Sequence, residues 1–126
     1  MSIVFKPTLD ALKNLEEALS IFTPSDLERD GTIQRFEYSY ELIWKLAQRV
    51  LKENEIETDT PRNIFRELGR IGWINDVEAW MEFQRIRNET SHEYGDALAK
   101  KSYALAKSFL PLAKQLVKSL QNKSNV

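Results

Sequence analysis

Arg87 to Tyr94, RNETSHEY, is the stretch whose side chains are best equipped for chemistry. It holds the only histidine of the chain, His92, five residues after Arg87 and two before Tyr94. A guanidinium grips the non-bridging oxygens of a phosphate through paired N–H groups and stabilises negative charge as it develops. An imidazole moves a proton near neutral pH. Attack by an RNA 2′-hydroxyl on its own phosphate needs only those two roles. It works best with both a general base and a general acid. One chain carries one histidine, so a twofold copy would have to bring the second. The alternative is a structural pair, with Arg87 tying helices together and His92 packed beside it. Residue types and spacing leave both readings open.

The helices around this stretch must do the positioning. Trp80, Phe83 and Ile86 give the segment after Asn75-Asp76-Val77-Glu78 an apolar side, and Arg87 continues it at spacing seven from Trp80 and four from Phe83. Arg87 is therefore expected to be at least partly buried, and a guanidinium there needs a carboxylate or phosphate partner. Glu37 and Glu41 are the candidates. They lie one turn apart beside the apolar seam Ile33, Phe36, Tyr40, Ile43, Ala47, Val50, and two like charges at that spacing are mildly unfavourable unless a cation answers them. Both being solvated is the competing expectation.

On an unbroken helix, positions 87 and 92 would point about 140° apart. Convergence of Arg87 and His92 would follow if the helix ended near Thr90 or Ser91. Gly95-Asp96 is consistent with a turn there, with Asp96 as the next N-cap.

The remaining chain reads as helices and their punctuation. Leu9, Leu12, Leu15, Leu19 and Phe22 form an apolar stripe opened by Pro7 and stopped at Thr23-Pro24. Ser25 to Glu28 has the form of a capping box, with Asp30-Gly31 as a point of interruption or kinking. The seam from Ile33, widened by Trp44 and Leu51, predicts a helix of about 20 residues in the core of a bundle. Asn54 to Asp59 is a polar linker. Thr60-Pro61 starts a short helix with Ile64, Phe65, Leu68 and Ile71 on its buried face, and Gly72 ends it as a left-handed C-cap glycine. Arg62, Arg66 and Arg70 share one exposed row, which is either a phosphate-holding stripe or a solvated face. A last long helix runs from about Ala97 to Leu120 on the stripe Ala99, Tyr103, Ala106, Leu110, Ala113, Val117, Leu120. Pro111 lies inside it, and Gln121 to Val126 reads as a fraying tail. The fold class is all-α, an antiparallel up-and-down bundle of four main helices plus a short extra one.

Composition narrows the function classes. With 18 basic and 19 acidic residues and a net charge of -1, the chain does not coat nucleic acid by bulk charge. No cysteine is present, which removes disulfides, thiolate nucleophiles and thiolate zinc sites. A metal site would need mostly carboxylates, and no metal or cofactor is expected. No stretch approaches the ~20 apolar residues of a membrane helix, so the expectation is a soluble cytoplasmic protein. A chain of 126 residues is expected to form one domain, 1–126.

The arrangement Arg87-Asn88-Glu89-Thr90-Ser91-His92 resembles the Arg-x4–6-His signature of the HEPN superfamily of helical domains. His92-Glu93-Tyr94 matches the His-x-Tyr ending of its HepT-like branch. Asp30 to Lys45, Thr60 to Ile74 and Asp76 to Tyr94 extend the likeness to the nucleotidyltransferase substrate-binding protein group, over most of the chain from Asp30 to about Ala99. The resemblance implies a helical-bundle homodimer that associates with a separate minimal nucleotidyltransferase. It implies one of two activities. In the first, the chain is a metal-independent ribonuclease toxin acting on RNA, with Arg87 on the phosphate, His92 as acid or base and Asn88 in support. The partner would then act as antitoxin by transferring AMP to Tyr94. In the second, the chain is non-catalytic and supplies the substrate-binding surface of a two-component nucleotidyltransferase.

Overall fold

The structure, a computed structural model, describes residues 3–92 and 95–124, and for Thr90, Ser91 and His92 it describes the backbone alone. Five helices follow in order: α1 (Lys6–Leu19), α2 (Asp26–Glu53), α3 (Pro61–Arg70), α4 (Val77–His92) and α5 (Asp96–Lys123). Four are long and α3 is short, which is the bundle the periodicity predicts. No helix among the described residues is long and apolar enough to cross a membrane.

Local chemistry sets most of the boundaries. The Ser25 hydroxyl accepts from the Glu28 N–H while the Glu28 carboxylate accepts from the Ser25 N–H, so α2 opens on a complete capping box. Thr60 caps α3 through the Asn63 N–H with Pro61 at the first helical position. Asp76 caps α4 by accepting from the Ala79 N–H at 3.0 Å. Gly72 ends α3 at φ 81, and the bonds Trp73 N–H to Leu68 O and Gly72 N–H to Gly69 O close a Schellman motif. The same motif ends α2, with Ile56 N–H on Leu51 O and Glu55 N–H on Lys52 O. Here a glutamate, Glu55 at φ 64, occupies the left-handed position.

α2 is the pillar of the bundle, in contact with each of the other four helices. Its start and end are tied to the start and end of α5. Arg29 pairs with Asp96 at 3.2 Å, the Asn54 amide donates to Lys123 O, and the Ser124 hydroxyl donates to Glu53. α2 and α5 therefore run side by side in the same direction. Ala99, Ala106 and Ala113, seven residues apart and fully buried, give α5 a face of small side chains. Between the helices lies an aromatic cluster of Phe36 from α2, Phe65 from α3, Trp80 and Phe83 from α4 and Phe109 from α5. Phe65 stacks on Trp80 at 4.8 Å, and Phe109 meets Phe36 edge-on at 5.0 Å.

Several expectations are corrected. α2 runs through Asp30-Gly31 without interruption, because the capping box starts the helix before Gly31 and no left-handed φ is required there. α1 ends at Leu19, and Phe22 and Leu9 are exposed. Thr8, Ala11, Leu12, Leu15 and Ala18 form its buried face, since small side chains allow α1 to lie close on α2. On α5, Ser102, Phe109 and Leu116 join the core, while Tyr103 and Leu110 are only half-buried. The expected fraying tail is helical as far as Lys123, held by the α2 ties. Gly95, not Asp96, is the N-cap of α5; Asp96 is its first residue and spends its carboxylate on Arg29 and Lys100.

Candidate functional site

The site is built on the second half of α4 where it faces α2. Trp80 and Phe83 are each 1% exposed and Ile86 is fully buried, so the row that leads to Arg87 is sunk in the core. Arg87 emerges at the edge of that row with its side chain 26% exposed. Its Nη2 forms an ion pair with Oε1 of Glu41 at 3.2 Å, and the Glu41 side chain is 31% exposed. Of the two candidate carboxylates, Glu41 is the one joined to Arg87 by this ion pair. The other oxygen of Glu41, Oε2, accepts from Nε1–H of Trp44 at 3.0 Å. Lys45 lies 4.0 Å from Oε2, at the limit of an ion pair. Glu37 is half-buried one turn before Glu41, and Asn88 is exposed beside Arg87.

Tyr40 adds a buried hydroxyl next to this group. The residue is 1% exposed, and its Oη makes no hydrogen bond. Burial pushes the phenol pKa far up, the charge of Glu41 pushes it further, and the charge of Arg87 opposes both. Tyr40 is therefore neutral throughout the ordinary pH range.

The helix does not turn at Thr90 or Ser91. α4 continues as one helix through His92, so the expected corner is absent and backbone positions 87 and 92 stand about 140° apart around the axis. The reason is local: Glu89-Thr90-Ser91 contains neither glycine nor proline, and Gly95 comes only after the segment. The His92 side chain and Tyr94 lie outside the described residues. On the far side of that segment, Asp96 is pinned to Arg29 of α2, a pair 67 residues apart that no local pattern announces. The hydrogen bond from Arg29, with help from Lys100, holds the Asp96 carboxyl below its ordinary range. The stretch that begins at Arg87 and ends before Asp96 is thus tied to α2 at both ends, through Glu41 and through Arg29.

Elsewhere the sequence candidates separate. Arg62 and Arg66 are exposed, and Arg70 is paired with Glu67 along its own helix. The Arg row is therefore a solvated face with one internal ion pair. Arg85 is held by Glu82 and Glu89 on the outer side of α4. Sequence reasoning misses the Trp44–Glu41 bond; an indole three residues after a carboxylate on a helix is the available signal.

Residues 4–122 match the family described as nucleotidyltransferase substrate binding protein like. The chain belongs to that family. A relative in Haemophilus influenzae, named probable ribonuclease HepT, is 35% identical over 99 residues, which are 75% of this chain and 68% of that protein. Two solved structures share the fold. One, a crystal structure of a protein from Thermus thermophilus, has a TM-score of 0.85 at 30% identity, covering 90% of this chain and 98% of its own. The other, HI0074 of Haemophilus influenzae, has a TM-score of 0.80 at 30% identity, covering 94% and 99%. HI0074 is described as revealing the fold of a substrate binding domain of a nucleotidyltransferase. The family likeness therefore spans all five helices, including the α2–α4 pairing that carries Arg87.

Proposed function

We propose that this chain is the helical member of a pair with a minimal nucleotidyltransferase, and that it is a metal-independent ribonuclease toxin acting as a homodimer. The observation that carries this reading is Arg87: a guanidinium at the edge of an aromatic core, held by a carboxylate on the neighbouring helix, five residues before the only histidine. The name of the Haemophilus influenzae relative, probable ribonuclease HepT, supports it.

In the reaction, His92 takes the proton of an RNA 2′-hydroxyl, whose oxygen bonds to the adjacent phosphorus. The bond to the 5′-oxygen of the next nucleotide breaks, leaving a 2′,3′-cyclic phosphate, and that oxygen receives a proton from a second acid. Arg87 stabilises the charge on the phosphoryl oxygens, with Asn88 beside it in support. Each chain carries one histidine, so the acid and the base are the His92 side chains of two copies. Control falls to Tyr94: its phenol oxygen bonds to the α-phosphorus of ATP on the partner enzyme and pyrophosphate leaves. The AMP then adds bulk and negative charge beside the site, where it excludes an RNA phosphate.

Expression of wild type, Arg87→Ala and His92→Ala tests this. Toxicity and RNA cleavage are expected from wild type alone, and equal behaviour of the three sinks the reading. Sedimentation should give a dimer.

The second reading is a non-catalytic substrate-binding subunit, favoured by the family description and by that of HI0074. Co-expression with a minimal nucleotidyltransferase separates the two. AMP on Tyr94 by mass spectrometry favours the toxin, while a tight complex with unmodified tyrosine and no RNA cleavage favours the substrate-binding subunit.

A further inference from the structure

The carboxylate of Glu41 is divided between two donors. Oε1 takes the Nη2 of Arg87 at 3.2 Å and Oε2 takes the indole N–H of Trp44 at 3.0 Å. We infer that Trp44 is a positioning residue for Arg87, acting through Glu41. The inference rests on the reading of Arg87 as the phosphate-binding group.

A carboxylate that meets an arginine alone turns to offer both oxygens to a fork of two parallel N–H groups. The bond from Trp44 removes one oxygen from that fork and sets the plane of the carboxylate. Glu41 then meets Arg87 through Oε1, and the guanidinium is oriented by a partner that cannot rotate freely. Trp44 is suited to the task because its ring is half-buried and packed against the core, while its polar edge reaches Glu41 one helical turn away. On the Arg87 side, Phe83 lies one turn earlier on α4 and is buried. Lys45, 4.0 Å from the same Oε2 and 58% exposed, adds charge without direction. Core, indole, carboxylate and guanidinium thus form a continuous series in which each member limits the rotation of the next.

Trp44→Phe keeps a ring of similar shape and removes the N–H. Glu41 is then released to turn, which rotates the guanidinium away from the direction that serves a phosphate. Because Arg87 acts on charge that develops during the reaction, the loss should fall on turnover. We expect kcat to drop about 5- to 10-fold with KM within about twofold of wild type.

Two measurements on the full chain test this. In the first, the three tryptophans of the uniformly 15N-labelled protein give three indole N–H signals, and Trp44→Phe identifies the one from Trp44. That signal should move in Glu41→Gln and in Arg87→Lys while the Trp73 signal stays in place; an unmoved Trp44 signal in both overturns the inference. In the second, RNA cleavage by Trp44→Phe, Glu41→Gln and the double variant is compared after circular dichroism has shown each to be folded. The double variant should be no slower than Glu41→Gln, since both changes cut the same series. Losses that multiply, or an unchanged kcat in Trp44→Phe, overturn it. A wild type that cleaves no RNA while the indole signal moves as expected would remove the ribonuclease reading and leave the Trp44–Glu41–Arg87 coupling standing.

Discussion

Trp80 and Phe83, in the first half of α4, are held by ring contacts to three other helices, whereas Arg87, in the second half, is held to α2 by an ion pair. Trp80 stacks on Phe65 of α3 and meets Phe109 of α5, and Phe83 meets Phe36 of α2 and Phe109. The apolar half gains by excluding water and needs little precision in direction. The polar half gains little net stability, because a half-exposed ion pair is screened by solvent, but it fixes the direction of a charged group. One helix thus separates anchoring from the orientation of a charged group, and under the proposed function substitutions along it should separate stability from activity.

The largest effect is expected at the apolar half. Trp80→Ala leaves a cavity beside the rings of Phe65, Phe83 and Phe109 and should cost about 3–5 kcal/mol, measured as a lower denaturant midpoint with little change in slope. A loss below about 1 kcal/mol would mean that the cluster does not anchor α4. Arg87→Ala should cost less, about 1–2 kcal/mol, between the ~0–1 of a surface pair and the ~3–5 of a buried pair broken on one side. Under the proposed function the same change abolishes RNA cleavage. The comparison breaks if Arg87→Ala destabilises as much as Trp80→Ala.

Smaller effects are expected at the two Schellman ends, which share bonding but differ in the left-handed residue. Gly72→Ala should destabilise by about 1 kcal/mol, and Glu55→Gly should stabilise by about 0.5–1 kcal/mol, since a side chain at positive φ is strained. Thermal unfolding of both variants against wild type reads the opposite signs. The smallest effect is on pH dependence. Glu28, held down chiefly by its bond from the Ser25 N–H, and Asp96, held down chiefly by Arg29, titrate below their ordinary 4.5 and 3.8. The unfolded chain binds these protons first as pH falls, so their stabilisation is complete above about pH 4.5 and is lost as pH drops through the folded values. A Glu28→Gln, Asp96→Asn double variant should show a shallower acid limb. An unchanged limb would exclude both pairs as contributors.

How far the site was legible follows the range of the interactions. The half-buried character of Arg87 was readable because Trp80, Phe83 and Arg87 share a helical row, and its need for a carboxylate followed from the cost of burying charge. Glu37 and Glu41 could not be separated, since they differ by one turn on a helix 46 residues away, and only the docking of α4 on α2 brings Glu41 to Arg87. The Arg29–Asp96 pair had no local signal at all.

The sequence by itself determined where helices begin and end wherever the determinant is a cap: Ser25 with Glu28, Thr60 with Pro61, Asp76, and Gly72 in the left-handed region. Caps act across three or four residues, so neighbours in the chain suffice. It also determined that Arg87, His92 and Tyr94 fall within one short stretch. Tertiary structure decided which face of α1 is covered, that α5 stays helical to Lys123, and that Glu41 is shared between Trp44 and Arg87. These depend on which helices approach closely enough to exclude water, and that closeness is a property of the assembled bundle rather than of any segment within it.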